Sequence, residues 1–391
     1  MDFNLDPQLI ELRDRVSAFI RDEVIPAEPK HGETITGDLV RSLREKARRA
    51  GIYGPQLPRE YGGLGLQTVA MCVLFEQAGR SFLGPIAMHC SAPDEGNMHL
   101  LSMFANDEQR ERYLRPLVEG KIRSCFAMTE PAPGAGSDPT MMLTRATRVD
   151  GGWEINGLKW FATGAEGASV AVTIAVTDPE EHPHRRATTF LVPTDTPGYR
   201  VVRSVATMGG HGYGGHGEVE FRNARIPDSA ILGARGDGFR LALARLGPAR
   251  LTHCMRWLGI AQRSLDIAVA RAREREAFGK KLAEHQSIQW MIADSEIELH
   301  ASRLMVMEAA WKHEHGSEIR HESSICKVFV AEAINRVIDR AVQICGALGV
   351  STDLPLEHFY REARAFRIYD GPSEVHRMVI ARNVIRGKRE K

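Results

Sequence analysis

The chain has 391 residues, enough to bury a large core but too many for one core, since single cores stop growing at roughly 250–300 residues. Hydrophobic residues make up 43% and charged residues 26%, the balance of a globular protein in water. Its 51 basic and 50 acidic side chains leave a net charge of +1, which excludes a global field for nucleic acid or an anionic membrane, so a phosphate-bearing ligand needs a local site.

From Asp6 to about Arg123 the apolar residues recur at helical spacing. Leu9, Leu12, Val16, Phe19 and Ile20 form one stripe that starts at Asp6 and Pro7, and Leu39, Leu43 and Ala47 form another. The segment from Gly54 to Gly65, with Pro55, Pro58, Gly62 and Gly63, reads as a loop before a helix from about Thr68 to Ala78. Asn106-Asp-Glu-Gln109 is a start signal for a polar helix reaching Tyr113 and Leu117. The period changes near Ser124. Cys125 to Thr129, Trp153 to Asn156, Lys159 to Thr163, Val170 to Val176, Thr188 to Val192, Tyr199 to Arg203 and Glu218 to Phe221 read as short strands separated by Gly, Pro and Asp. Their close spacing implies an antiparallel sheet or barrel rather than strand-helix-strand units. Helical patterns resume at about Gly238 and run from Phe239 through Arg273, Ala283 through His313 and Ser323 through Leu348, lengths that fit an antiparallel bundle. The expected fold is α+β and multidomain, mainly α: an N-terminal helical domain (1–123), a middle β domain (124–235) and a C-terminal domain like a four-helix bundle (236–391).

Two further helical patterns flank Arg367-Ile-Tyr-Asp370-Gly-Pro-Ser-Glu-Val-His376, so Asp370-Gly-Pro-Ser373 has to turn and leaves one carboxylate on a tight corner. Asp370 is the candidate catalytic base; the plainer reading is loop punctuation, with Ser373 capping the next helix and Glu374 in its first turn. Gly209-Gly-His-Gly-Tyr-Gly-Gly-His-Gly217 contains fragments of a dinucleotide loop but precedes a strand, not a helix, and reads as a flexible hairpin whose His211 or His216 is a minor candidate for touching substrate. The fifteen histidines show no metal-ligand spacing, and no metal is expected. The six cysteines are scattered in apolar runs without a Cys-x-x-Cys pair and read as reduced core residues. The first residues carry neither a basic region nor an apolar signal core, and no apolar run is long enough to span a bilayer; a cytoplasmic protein is expected.

Four local motifs remain: Cys125-Phe-Ala-Met-Thr-Glu-Pro131 followed by Gly134-Ala-Gly-Ser-Asp138; Asn156-Gly-Leu-Lys-Trp-Phe-Ala-Thr163; Glu274-Arg-Glu-Ala-Phe-Gly-Lys280 with Glu284-His-Gln286; and Gln343-Ile-Cys-Gly-Ala-Leu-Gly349. In this order they make the whole chain resemble the acyl-CoA dehydrogenase family. His253-Cys-Met-Arg256 and the Asp370-Gly-Pro-x-Glu-Val-His376 run resemble the branch acting on long or modified chains.

The resemblance implies FAD as cofactor. The strand end carrying Phe126, Met128 and Thr129 would meet the flavin edge with backbone groups and the Thr129 hydroxyl, and Ser137 would act as a donor to cofactor or substrate. Phe161 would cover one ring face, with Thr163 near N5. Arg275, Phe278, Gln286, Gln343, Gly346 and Ala347 would hold the adenosine half of an FAD bound mainly by a neighbouring subunit, in a homodimer or homotetramer. Glu374 would lie beside the cofactor, and Arg250 and Gly371 beside the substrate. The sequence departs from the family pattern at Ala132 and Pro133, which read as an insertion, at Pro372 and Glu374, which replace Thr and Gln, and at Asp370, where Glu is common. The implied reaction is dehydrogenation of an acyl-CoA thioester to the trans-2-enoyl-CoA, with an electron-transfer flavoprotein as acceptor. Two rivals share the fold: a flavin oxidase, either of acyl-CoA or resembling nitroalkane oxidase, and an acyl-CoA-binding relative without catalysis. A base from the helix near Gly247 has only Asp237 and Asp266 nearby to supply it.

Overall fold

The computed structural model describes residues 4–210 and 212–387, which pack as two compact units. The first unit comprises the chain up to Gln56, Leu64–Met88 and the chain from Gly247 onward; the second comprises Leu57–Gly63 and His89–Leu246. The N-terminal helices up to Met88 thus group with the C-terminal helices, and those after His89 group with the sheet.

In the first unit, α1 (Pro7–Phe19) starts where Asp6 accepts a hydrogen bond from the Gln8 N–H, and α2 (Gly37–Arg49) starts at the Thr36 hydroxyl. α3 (Thr68–Ala78) and the short α4 (Leu83–Ala87) follow the Pro/Gly-rich loop. In the second unit, α5 (Asp94–Phe104) precedes α6 (Asp107–Gln109), which opens on a capping box between Asn106 and Gln109 and continues through a wide turn into α7 (Arg115–Val118).

The sheet in this unit combines β1 (Ser124–Ala127), β2 (Arg145–Val149), β3 (Gly152–Thr163), β4 (Val170–Val176), β5 (Ala187–Pro193), β6 (Tyr199–Ser204), β7 (His216–Pro227) and β8 (Ile231–Leu232). Its order is β6-β7-β3-β2-β4-β5-β8, mostly antiparallel, with β1 joining β4 in parallel. Every residue of β4 is buried, because both faces of the strand are covered. Val170 and Val172 meet Leu101, Leu114 and Leu117 from the helices, while Ala171 and Ala175 join Trp153, Ile155, Phe190 and Phe221.

Three expectations need correction. Trp153–Asn156 and Lys159–Thr163 are one strand, β3, which carries register shifts at Ile155/Gly157 and Lys159/Ala162 instead of a turn. A Cβ at Gly157 would sit 2.5 Å from the Thr144 hydroxyl, so the Asn-Gly pair marks a close approach rather than a hairpin. β7 extends well past Phe221, and β2 was not expected at all: of its residues only Ala146 is buried.

α8 (Gly238–Glu274) begins in the second unit and continues in the first. A two-stranded hairpin, β9 (Glu276–Ala277) with β10 (Lys280–Lys281), leads to α9 (Gln286–Glu314), α10 (Arg320–Cys345), the one-turn α11 (Ala347–Val350), α12 (Leu356–Phe366) and α13 (Ser373–Ile385). α10 packs against α9, α12 and α13 and buries residues around much of its circumference, including Val330, Ile334, Val337 and Ile338. Arg303 of α9 grips the Glu76 carboxylate of α3 through Nε and Nη2. All six cysteines are buried and free, as expected. No helix among the described residues is long and apolar enough to cross a membrane.

Candidate active site

α12 ends at Phe366 and α13 begins at Ser373, leaving Asp370 on the corner between them at φ +55° and Gly371 at φ +98°. Asp is one of the few residues with a side chain that enters this left-handed region readily. At Gly371 a Cβ would come 2.7 Å from His376 Nε2, so glycine is required by space as well as by conformation. The Ser373 N–H donates to the Arg367 carbonyl at 3.0 Å and closes the turn. Ser373 is the first helical residue, not the cap; Pro372 stands at the cap position, and the buried Ser373 hydroxyl makes no hydrogen bond.

The corner is held by groups from three helices. The Asp370 carbonyl oxygen accepts from Arg250 Nε of α8 at 3.2 Å and from His376 Nε2 of α13 at 3.1 Å. Because Nε2 donates, His376 Nδ1 accepts from the Ser324 hydroxyl of α10, 3.1 Å away. His253 Nδ1 lies 2.7 Å from Asp370 Oδ2, an ion-pair distance out of line for a hydrogen bond. Trp257 Nε1 donates to the Tyr369 hydroxyl at 2.5 Å, and the Tyr369 ring meets His253 edge-on with centroids 5.9 Å apart.

Burial shapes the charges around the carboxylate. It pushes the Lys327 ammonium down to about 8 against the pull of Asp370, and lowers the Arg250 guanidinium. His376 is pushed down to about 4 by burial and then by Arg250, so it stays neutral at pH 7. Lys327 donates to the Phe366 carbonyl at the end of α12, where a cation complements the helix dipole. The corner therefore presents one carboxylate whose backbone is fixed by buried donors.

The expected flavin-edge residues gather in the second unit. The Trp160 N–H donates to the Thr129 carbonyl at 2.8 Å, which ties the end of β1 to the β3 bulge. That bulge puts Phe161, a residue 41% exposed, at φ +52° with its ring centroid 4.7 Å from that of Trp160. Trp160 Nε1 is buried without a hydrogen-bond partner. Thr163 Oγ1 lies 3.0 Å from His216 Nδ1, at the start of β7. Phe126 and Met128 are half-buried and pack against the core, with the Arg245 guanidinium 4.1 Å over the Phe126 ring. Ser137 is exposed, and His211 lies outside the described residues. An exposed aromatic residue with the Thr163 hydroxyl two positions along the same strand suits an aromatic ring system with a polar edge.

This strand end hangs from a buried ion pair that motif reading passed over. Lys159 Nζ lies 2.9 Å from Glu130 Oε1, with side-chain exposures of 0% and 2%, and also donates to the Met128 carbonyl at 3.0 Å. Glu130 further accepts from the N–H groups of Ala135 (3.2 Å), Leu143 (2.7 Å) and Thr144 (2.8 Å). Burial works to raise the Glu130 carboxyl, but Lys159 and these donors outweigh it and hold it below its ordinary value. Burial pushes Lys159 down to about 8.

The remaining candidates are exposed in the first unit. Phe278, at the tip of the β9–β10 hairpin, is 96% exposed at φ +53°. Arg275, Gln286, Gln343, Gly346 and Ala347 are exposed on the hairpin flanks and at the end of α10. Glu374 is exposed and 4.0 Å from Arg377. Of the alternative carboxylates, Asp237 pairs with Arg240 at 2.6 Å, and Asp266 pairs with Arg80 and accepts from Gln262. Sequence reading missed His253, Lys327 and Lys159; only His253 carried a signal, its place three residues after Arg250 on one helix.

The sequence profiles of the acyl-CoA dehydrogenase N-terminal, middle and C-terminal domains match residues 6–121, 125–224 and 236–385. A relative from Mycobacterium tuberculosis, named probable acyl-CoA dehydrogenase FadE2, is 40% identical over 98% of this chain and 96% of its own. A structure from Mycobacterium abscessus assigned to the acyl-CoA dehydrogenases is 39% identical, with a TM-score of 0.94 over 98% of this chain and 100% of that one. Butyryl-CoA dehydrogenase from Megasphaera elsdenii is 29% identical, with a TM-score of 0.88 over 98% of this chain and 100% of that one. Other curated relatives are longer, and the chain spans 37–50% of their length.

Proposed function

The chain belongs to the acyl-CoA dehydrogenase family, and from that premise we propose that Asp370 is the base that takes the α-proton of an acyl-CoA thioester as the β-hydride leaves, giving the trans-2-enoyl-CoA. The observation that carries this reading is the corner itself, a carboxylate on a left-handed turn whose backbone is gripped by Arg250 and His376.

The cofactor is FAD, and structures of related FAD complexes 25% identical to this chain share its fold. Bound FAD supplies the hydride acceptor. Thr129, Phe161 and Thr163 would bind its ring, with Phe161 covering one face, while Arg275 would pair with its pyrophosphate. The Asp370 N–H would donate to the thioester carbonyl, stabilising charge that develops as the α-proton leaves. Gly371 lets the backbone approach the substrate there, and Arg250 keeps the corner in place.

Assembly is part of the proposal. Phe278 and Arg275 would reach the FAD of a neighbouring subunit, which requires a homodimer or homotetramer. A second observation supports this: Trp290, Ile297, Leu304 and Trp311 of α9, all exposed, recur at every seventh position and form one apolar stripe. The three-domain division at about residues 123 and 235, a cytoplasmic location and an electron-transfer flavoprotein as acceptor complete the reading.

The test is anaerobic titration of the purified protein with a panel of acyl-CoA thioesters. Bleaching of the flavin absorbance by at least one thioester, with little oxygen consumed in air without an added acceptor, is the expected outcome. Rapid oxygen consumption would make the protein an oxidase, and a colourless protein that cannot take up FAD would remove the catalytic reading.

A further inference from the structure

α8 places Arg250 and His253 three residues apart, hence side by side on one helical face. Arg250 Nε holds the Asp370 carbonyl, while His253 Nδ1 stands 2.7 Å from the Asp370 carboxylate at Oδ2. One helix face thus meets both the backbone and the side chain of the same residue. Among the described residues His253 Nδ1 makes no hydrogen bond, and its side chain is 13% exposed. The Tyr369 ring packs edge-on against the imidazole and limits its rotation.

A histidine in a helix wall is usually a packing residue. Here its Nδ1 stands beside the carboxylate read as the base, on an arm with two rotatable bonds. The second of these is a broad, roughly two-fold torsion, which leaves the carboxyl plane of an Asp wide freedom to turn. We infer that His253 is a positioning residue for Asp370: by holding Oδ2 it stops that swing and turns Oδ1 to the substrate. The 2.7 Å approach is out of line at present, and a modest rotation of the carboxyl plane brings the Nδ1–H into line. Catalytic hydrogen bonds commonly tighten when substrate binds. The inference rests on reading Asp370 as the base and adds to it which oxygen reacts and what holds the other.

The test uses FAD-loaded wild type, His253→Ala, His253→Asn, Asp370→Asn and the His253→Ala/Asp370→Asn double variant in anaerobic stopped-flow reduction by a thioester that bleaches the wild type. Asn is the informative replacement, because its amide nitrogen falls close to the position of Nδ1. Misplacement of a reacting group by about 1 Å costs on the order of 100-fold, so His253→Ala should lower the limiting reduction rate roughly 10- to 100-fold with little change in apparent thioester affinity. His253→Asn should recover most of that loss, and the double variant should be no slower than Asp370→Asn alone. Exchange of acetyl-CoA α-hydrogens into D2O should follow the same order, since acetyl-CoA has no β-carbon and reports on the base alone. If His253→Ala does not fold, His253→Phe takes its place. Wild-type rates in the Ala or Phe variant, no recovery in the Asn variant, or an additive double variant would overturn the inference while leaving Asp370 as the base. Wild-type reduction by Asp370→Asn would instead overturn the base assignment, and this inference with it.

Discussion

Replacing Lys159 by Met tests whether the loop beside the flavin-edge residues is suspended from one buried carboxylate. The change removes the Glu130–Lys159 pair (2.9 Å) and the bond to the Met128 carbonyl (3.0 Å), and leaves a carboxylate 2% exposed with only its backbone donors. Losing one partner of a buried pair costs about 3–5 kcal/mol, because the survivor stays desolvated. Three backbone N–H groups still face Glu130, so the low end, about 3 kcal/mol, applies here. At about 1.4 kcal/mol per tenfold, that raises local opening on the order of 100-fold. Amide hydrogen exchange reads it directly at Ala135, Leu143 and Thr144, whose N–H groups end on Glu130. FAD content should fall as well, because the same segment continues from Thr129. In the Glu130→Gln/Lys159→Met double variant the loss should be smaller than the sum of the single losses by about 1–3 kcal/mol, since each residue's penalty is largely the other's isolation. Exchange at these three amides unchanged within about threefold in Lys159→Met would refute the reasoning, given the cost assigned to a broken buried pair.

Ile297→Glu, in the middle of the exposed α9 stripe, should shift the protein toward smaller species in light scattering; unchanged mass at low concentration would remove the stripe from the interface. Arg275→Ala should weaken FAD retention on gel filtration, whereas a monomer holding stoichiometric FAD would defeat the shared-site reading. His376→Asn should be less stable than wild type at pH 7 by roughly 1–3 kcal/mol, since it cannot satisfy both the Asp370 carbonyl and Ser324. The folded His376 is pushed from 6.5 down to about 4, so between those values the unfolded chain binds the extra proton and wild-type stability falls as pH falls. The gap between wild type and His376→Asn should therefore narrow from about pH 6.5 toward pH 4, in parallel urea titrations; a constant gap would show that His376 is not held neutral.

Much of the fold was legible because burial and period agree. α3 runs from Thr68 to Ala78 as the apolar pattern implies, and β4 coincides with Val170–Val176. β2 was not legible, because Arg145, Thr147 and Arg148 face solvent and leave only buried Ala146 and half-buried Val149 as an apolar signal. β3 was split because Asn-Gly is ordinary turn chemistry, and only the approach of Thr144 shows why glycine stands there. At the site, Asp370, Gly371 and Arg250 could be named from their motifs, and the structure brings them together. His253 carried only its place three residues after Arg250, a signal that acquires a role when a distant turn sets a carboxylate beside it. Lys159 was in plain view inside Asn156-Gly-Leu-Lys-Trp-Phe-Ala-Thr163, but sequence alone does not tell a solvated lysine from one paired in the core.

Asp370→Asn puts the central claim to its most direct test. The amide fits the same corner and leaves the Arg250 and His376 bonds to the backbone carbonyl intact, so FAD content and thioester binding should be unchanged. A positioned general base contributes roughly 10²–10⁴-fold, and the amide cannot accept the proton, so anaerobic flavin reduction by the best thioester should slow by about that factor. Reduction at the wild-type rate would show that Asp370 is not the base.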